Sequence, residues 1–206
     1  MLTATALAAR RGDRLLFSRL DFSVDRGQAL FVNGRNGAGK TTLLRMITGL
    51  TLPAEGQVNW CDLPIREALE EHSGDLLYIG HRGGNKDELS CIDNLRTNMA
   101  MFSDPHDEDA CLDALVQAGL GVVADLPVRY LSQGQQRRIA LARLALTKAR
   151  LWVLDEPFTA LDQQACAWVI GLLERHLDDG GVVVLTSHQP VEFKGDVRKL
   201  NMGTAV

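Results

Sequence analysis

The sequence predicts an α/β fold with a mostly parallel sheet, and three observations support this. Apolar segments of strand length alternate with helical patterns near both ends of the chain, the middle from about 92 to 149 is mostly helical, and a glycine-rich loop separates a buried strand from a helix. Parallel strands are apolar because their crossover helices cover both faces of the sheet. At 206 residues we expect a single domain, 1–206, with a helical insert at about 82–149.

The first part of the chain predicts short strands followed by one helix. Strand-type alternation and compact apolar runs identify the strands, and a turn is expected at 25–27. After the glycine-rich loop, apolar residues at helical spacing predict a helix over 40–49. The expected strands are 15–17, 20–24, 28–32, 58–60 and 76–79.

The rest of the chain is helical at first and then returns to alternation. Pro105, the glycines at 119 and 121, and Pro127 mark the breaks between helices. The predicted helices are 93–102, 108–118, 135–147 and 163–177, and the predicted strands are 151–154, 181–185 and 197–201.

The composition excludes several classes of protein. Hydrophobic residues make up 46% and charged residues 23%, which is typical of a soluble globular domain and not of a disordered or fibrous one. The net charge of −4 gives no basic field, so we expect no nucleic-acid partner. No apolar stretch approaches the roughly 20 residues that cross a bilayer, and no secretory signal is expected. The four widely spaced cysteines are expected to be free thiols.

The glycine-rich loop matches the phosphate-loop pattern G-x-x-x-x-G-K-[ST] between a predicted strand and a predicted helix. Its glycines permit backbone angles that let successive N–H groups converge on a phosphate, and the helix N-terminus adds positive charge. Lys40 can reach the β- and γ-phosphates, and the Thr41 hydroxyl can bind Mg²⁺. The sequence therefore predicts a site for ATP with Mg²⁺. Its loop residues are Gly34, Arg35, Asn36, Gly37, Ala38, Gly39, Lys40, Thr41 and Thr42.

Two acids follow the apolar strand at 151–154. Asp155 and Glu156 stand at its carboxyl end, where ligands gather in an open parallel sheet and where the phosphate loop also lies. We expect Asp155 to hold Mg²⁺, directly or through water, and Glu156 to orient or deprotonate a water that attacks the γ-phosphate. The alternative interpretation is a solvated strand end followed by a turn.

The chain resembles the ATP-binding cassette (ABC) family in a segment before these acids, Leu131-Ser132-Gln133-Gly134-Gln135-Gln136-Arg137-Arg138. The family signature is Leu-Ser-Gly-Gly-Gln, so Gln133 replaces the first glycine. Two further elements appear in the family's order. Asp162 lies in a segment that resembles the D-loop, and His188 lies in one that resembles the switch-histidine loop.

This resemblance covers essentially the whole chain and implies a fold and an activity. The fold is a P-loop NTPase of the ABC type, with an N-terminal antiparallel β part and a helical insert. The activity is ATP hydrolysis, in which His188 contacts the γ-phosphate. Two copies would form a homodimer around two ATP molecules, each copy closing its signature on the γ-phosphate held by the other. The signature residues that act in trans are Ser132, Gln133, Gly134 and Gln135.

Outside the signature, the chain departs from the family pattern at two places. No aromatic residue stands near Arg10 to Asp13, where the family stacks adenine, and we expect the Arg11 guanidinium to stack on the base instead. At the Q-loop, His81 stands where the family has glutamine, and its imidazole could bond to a metal-bound water. The alternative interpretation is that His81 only packs under the insert.

Four segments of the chain resemble the ATP-binding subunits of the bacterial cytochrome c maturation system. They are 76–81, 131–144, 151–162 and 185–190. That resemblance implies a haem-export ATPase docked on integral membrane subunits at the cytoplasmic side of the inner membrane. The alternatives are the ATPase of another small ABC exporter or a soluble ABC ATPase that serves as an assembly scaffold. A chromosome or DNA-repair ATPase is disfavoured because the insert is too short for a long coiled coil.

Several charged residues are interpreted as surface residues. For the stretch 135–138, with Arg137 and Arg138, the alternative to the signature interpretation is a solvated helix start. His72, His106 and His176 have no motif around them and are also expected at the surface.

Overall fold

The fold combines an antiparallel sheet and a parallel sheet with helices, as a computed structural model describes it for residues 1–101, 105–188 and 192–203. The strands are β1 Leu2–Arg11, β2 Arg14–Val24, β3 Gln28–Gly34, β4 Glu55–Trp60, β5 Leu63–Pro64, β6 Leu76–Ile79, β7 Leu151–Leu154, β8 Val182–Thr186 and β9 Asp196–Met202. The helices are α1 Lys40–Ile47, α2 Leu69–Gly74, α3 Cys91–Met101, α4 Glu108–Gln117, α5 Gln133–Ala142 and α6 Gln163–Asp178.

The parallel sheet has the strand order β6-β7-β8-β3-β9, and every neighbouring pair in it is parallel. The antiparallel sheet, in the order β2-β1-β4-β5, comes from the N-terminal part of the chain. The predicted fold class is therefore confirmed. Because all strands of the parallel sheet run the same way, the loops after β3, β6, β7 and β8 meet at one edge.

Alternate residues of the parallel strands fill two separate cores, because successive side chains of a strand point to opposite faces. Val32 and Val184 pack with α1 and the antiparallel sheet. Phe31 and Leu185 pack on the other face with α6. Each fully buried Val or Leu stabilises the fold by about 1.5–3 kcal/mol, so the edge that carries the loops is rigidly supported.

Helices α3, α4 and α5 lie in the chain between β6 and β7, in the stretch where the sequence predicts an insert. They share a core of their own, around Leu95, Leu115 and Ile139. Helix α5 begins two residues earlier than predicted and ends at Ala142, where a 3-10 turn replaces its last predicted residues. Residue 102, the predicted end of the first helix, and residues 189 and 190 lie outside the described residues.

The N-terminal strands differ from the prediction. The structure has a strand β1, which the sequence interpretation did not specify, and β2 is one strand where two pieces were expected. Ala6 and Arg19 have φ of 49° and 51°, and the β1–β2 register shifts between Ala4 and Leu7 and between Leu7 and Ala9. Such bulges keep a strand continuous while breaking its alternation, which explains why the pattern suggested two strands. Helix α2 was also not predicted, because six residues carry too little periodicity.

Two histidine predictions were wrong. His72 is buried, with Nε2 2.8 Å from the carbonyl oxygen of Ile47, and burial lowers its pKa. His176 stacks on Trp152 with ring centroids 3.7 Å apart, and burial lowers its pKa to about 4. Both side chains fill gaps beside tryptophans, a tertiary role that a lone histidine in a sequence does not reveal.

The cysteines are free, as predicted: Cys91 and Cys111 are buried, and Cys61 and Cys166 are half-buried. Among the described residues, none of the helices combines the length and apolar character that a membrane span requires.

Candidate functional site

The phosphate loop connects β3 to α1 at the loop-bearing edge of the parallel sheet. Gly37 and Gly39 have φ of 81° and 97°, in the left-handed region that other residues rarely adopt. A Cβ on Gly39 would also lie 3.1 Å from the ring of Phe17. Glycine is thus required for the tight turn that directs the backbone N–H groups into the open space before α1.

Lys40, the first residue of α1, folds back over the loop. Its Nζ donates a 2.7 Å hydrogen bond to the carbonyl oxygen of Gly34. The ammonium group is therefore held at the mouth of the loop, where a phosphate would be cradled by the helix N-terminus. Thr41 directs its hydroxyl across to β7 and donates to Asp155 Oδ2 at 2.9 Å.

The acidic edge, which we define as Asp155 and Glu156 with Thr186 behind them, is assembled from two neighbouring strands. Asp155 is 3% exposed, and its Oδ1 accepts a 2.8 Å hydrogen bond from the Thr186 hydroxyl. The same hydroxyl accepts a 2.9 Å bond from the Glu156 N–H. One buried threonine thus fixes the carboxylate of Asp155 and the backbone of Glu156 together.

Glu156 has an unusual backbone that directs its side chain. Its φ is 53°, in the left-handed region, which costs a residue of this kind about 1–3 kcal/mol unless its surroundings hold it there. The Glu156 carboxylate accepts a 3.1 Å hydrogen bond from the His188 N–H, and its Oε1 lies 3.3 Å from His188 Nε2. Glu156 and His188, which are 32 positions apart in sequence, therefore meet at one point.

A cavity of about 570 Å³ gathers most of the predicted nucleotide residues. It is lined on one side by the phosphate loop and on the other by the acidic edge and His188. Arg11 and His81, the two departures from the family pattern, also lie in its wall. Of the predicted loop residues, the cavity brings together Arg35, Asn36, Gly37, Gly39, Lys40, Thr41 and Thr42. Gly34 and Ala38 are not among the residues that line it.

The donor atoms at the acidic edge suit Mg²⁺. The Thr41 hydroxyl and the Asp155 carboxylate are 2.9 Å apart, and both supply the oxygen ligands that this ion prefers. The described residues contain no group of three or more His, Cys, Asp or Glu side chains that could hold a metal. A magnesium ion bound through one carboxylate, one hydroxyl, waters and substrate phosphates does not require such a group.

The signature turn, which we define as residues 132–135, lies apart from the phosphate-loop cavity of its own chain. The Ser132 hydroxyl accepts a 3.2 Å bond from the Gln135 N–H, and the Gln135 side chain accepts a 2.9 Å bond from the Ser132 N–H, forming a capping box. A Cβ on Gly134 would lie 2.5 Å from the carbonyl oxygen of Ala160, so glycine permits close packing on the segment after the acidic edge. Gln133 lines a second cavity beside Glu156.

Asp162 caps a helix. Its carboxylate accepts a 2.8 Å hydrogen bond from the Ala165 N–H at the start of α6. The side chain is exposed, which leaves its outer oxygen accessible to another molecule.

The sequence interpretation missed two residues of the site. Thr186 was only part of a loop motif, although its hydroxyl links both acids. Arg137 was only part of the signature-like segment, with a solvated helix start as the alternative, but it is 7% exposed, and burial lowers the pKa of its guanidinium. Its spacing could have revealed it, since Arg137 precedes Ala140 and Leu141 by three and four residues and therefore shares their buried helix face.

A family model and several known proteins match this chain along most of its length. A family model described as ABC transporter matches residues 17–159. The cytochrome c biogenesis ATP-binding export protein CcmA of Nitrosomonas europaea is 49% identical over 189 residues, covering 92% of this chain and 89% of that protein. CcmA of Methylococcus capsulatus is 48% identical over 201 residues, covering 98% and 97%. CcmA of Escherichia coli K12 is 43% identical over 203 residues, covering 98% and 96%.

Solved structures support the fold. A putative ABC transporter ATP-binding protein from Pyrococcus furiosus superimposes with a TM-score of 0.83 at 24% identity, covering 97% of this chain and 96% of that one. A dimeric ATP-binding cassette bound to ADP and phosphate superimposes with a TM-score of 0.80 at 21% identity, covering 92% and 88%.

Proposed function

Because this chain belongs to the ABC transporter family and, within it, to the cytochrome c biogenesis ATP-binding export proteins, we propose that it hydrolyses ATP to drive haem delivery or export through membrane partner subunits. It is the ATP-hydrolysing subunit of that transporter. The observation that carries the proposal is the single cavity in which the phosphate loop faces Asp155, Glu156 and His188.

Binding of ATP would use groups that are already in position. The loop N–H groups and the N-terminus of α1 would hold the phosphates. Lys40 would exchange its bond to the Gly34 carbonyl for the β- and γ-phosphates, a short movement of a flexible side chain. Thr41 and Asp155 would hold Mg²⁺, which supplies charge stabilisation for the phosphates when bound. The Arg11 guanidinium, in the wall of the same cavity, would stack on the base.

Hydrolysis would depend on Glu156. A water oxygen attacks the γ-phosphorus, the bond from that phosphorus to the bridging oxygen of ADP breaks, and the Glu156 carboxylate takes a proton from the attacking water. His188, 3.3 Å from Glu156, would contact the γ-phosphate, and His81 would face the same space from the opposite wall. ADP and inorganic phosphate are the products.

The complete site would need a second copy. The signature turn does not line the phosphate-loop cavity of its own chain, so residues 132–135 would act on ATP held by another copy. This supports a homodimer that forms on ATP binding. The membrane partner subunits would hold this dimer at the cytoplasmic face of the bacterial inner membrane, as a peripheral subunit.

The proposal is tested in cells that lack the chromosomal gene and express this chain with a tag. We expect Lys40→Ala to lower ATP turnover at least about 100-fold and to abolish formation of haem-loaded cytochrome c, because the γ-phosphate loses its cationic partner. Lys199→Ala, at an exposed position of β9, is the matched control and should behave like wild type. Both variants should co-purify with the membrane subunits.

Two results would contradict the proposal. Normal cytochrome c formation with Lys40→Ala would show that the pathway does not require ATP turnover by this protein. If the protein purifies as an active ATPase without membrane subunits, the result would favour the alternative function of a soluble ABC ATPase that serves as an assembly scaffold.

A further inference from the structure

Arg137 is a buried cation whose hydrogen bonds go to backbone carbonyl groups on two different strand ends. One guanidinium nitrogen donates to the Gly80 oxygen at 2.8 Å and lies 3.4 Å from that of His81. The other donates to the oxygens of Asp155 and Glu156, at 2.7 and 3.0 Å. The side chain enters from α5, so it joins the helix that follows the signature turn to the acidic edge.

These carbonyls lie where the β6–β7 pairing stops. The parallel register ends at Ile79 and Leu154, and the last bond of the ladder runs from the Asp155 N–H to the Ile79 oxygen at 2.9 Å. Beyond this point the segments that follow β6 and β7 are no longer paired with each other, and the planar guanidinium of Arg137 bonds to both of them. A fork of several N–H donors suits this task because one rigid group can serve two diverging strands.

The backbone of Glu156 is held at both of its polar groups. Its N–H donates to the Thr186 hydroxyl, and its carbonyl accepts from Arg137. Between these two bonds the residue keeps its left-handed φ of 53°, which sets the direction of its carboxylate. Loss of either bond would let the peptide relax toward ordinary angles and turn the carboxylate away from the γ-phosphate position.

We propose that Arg137 is a positioning residue for hydrolysis: it fixes the backbone of Glu156 and of the Gly80–His81 segment, and so makes the direction of the general base depend on the position of α5. This inference rests on the proposed ATPase function. Arg137 does not line the phosphate-loop cavity, so its effect falls on turnover and not on nucleotide affinity.

The chain offers a matched control in the next residue. Arg138 is also on α5 and half-buried, but its guanidinium donates to the Ala118 oxygen at 3.0 Å, at the end of α4 and away from the acidic edge. We expect Arg137→Lys, which keeps the charge but loses the fork, to lower kcat at least about 10-fold and to change KM for Mg-ATP less than about 2-fold. Arg138→Lys should leave both constants near those of wild type.

Hydrogen exchange gives a second measurement that does not depend on turnover. In the full-length chain, amides of residues 154–161 should exchange several-fold faster in Arg137→Lys than in wild type or Arg138→Lys.

The outcomes separate the two proposals. Wild-type kcat and unchanged exchange in Arg137→Lys would overturn the positioning role while leaving the ATPase function intact. Equal losses in Arg137→Lys and Arg138→Lys would also overturn it, since they would indicate general destabilisation of α5. An inactive wild-type chain would contradict the proposed function, and the exchange rates would still decide the role of Arg137.

Discussion

The acidic edge and the signature turn are held in opposite ways. Asp155 and Glu156 accept hydrogen bonds from α1, α5, β8 and the loop after β8, so the acidic edge forms only when these elements have packed together. In the signature turn, Ser132 and Gln135 cap each other within four residues. The geometry of the acidic edge should therefore change when residues on distant elements are substituted. The geometry of the signature turn should not, and substitutions there should act mainly by shifting the whole turn relative to the rest of the protein.

Thr186→Val should damage the acidic edge from the side of β8. The shape is nearly kept, but Asp155 loses the hydrogen bond that it accepts from the fully buried Thr186 hydroxyl, and the Glu156 N–H loses the hydroxyl oxygen to which it donates. We expect stability to fall by about 1–3 kcal/mol, because buried polar groups are left unsatisfied. We also expect kcat to fall about 10-fold through loss of preorganisation. Chemical unfolding and steady-state hydrolysis measure the two effects.

Thr97→Val, at an exposed position of α3 away from the site, is the control for that change. Equal stability and turnover of Thr186→Val and wild type would contradict the coupling of the two acids.

Gly134→Ala tests whether the signature turn affects turnover separately from ATP binding by the same chain. The added methyl group meets the Ala160 oxygen at 2.5 Å, so helix α5 must move, at a cost of about 1–3 kcal/mol. Capping by Ser132 and Gln135 is untouched. We expect ATP affinity of the monomer to be unchanged and turnover to fall, measured by equilibrium binding and by hydrolysis. Gly74→Ala, where a Cβ meets nothing within 4 Å, is the control. A loss of ATP affinity equal to the loss of turnover would contradict a separate signature turn.

The last effect concerns stability alone, in a region outside both motifs. His176 has its pKa lowered to about 4 by burial, below its ordinary value of 6.5, so the unfolded chain binds a proton at mildly acid pH that the folded chain does not. Stability should therefore be unaffected above about pH 6.5 and should fall by up to about 1.4 kcal/mol per pH unit between roughly 6.5 and 4. His176→Phe, which can keep the stack on Trp152, should flatten this slope in unfolding curves. An unchanged slope would show that other groups cause it.

The sequence predicts those parts of the site that are local. The phosphate loop and the two acids were identified because each is a short pattern at the end of an apolar strand. The same local signals predicted the parallel sheet, although bulges in β1 and β2 hid the full length of the N-terminal strands.

The remaining parts depend on tertiary packing. Thr186 and Arg137 reach the acids only because tertiary packing brings β8 and α5 beside the carboxyl end of β7. Helical spacing places Arg137 on the buried face of α5, but no spacing rule gives its distance to the acids. His72 and His176 were misplaced for the same reason, since their partners lie on other elements.

The central claim is that Glu156, set in its strained backbone, is the base that turns bound ATP over. The most direct test is single-turnover hydrolysis by Glu156→Gln, with ATP binding and oligomeric state measured on the same sample. Glu71→Gln, exposed on α2, is the matched control. We predict that Glu156→Gln binds ATP as wild type does, accumulates an ATP-bound dimer, and hydrolyses at least about 100-fold more slowly. Hydrolysis at the wild-type rate would contradict the account.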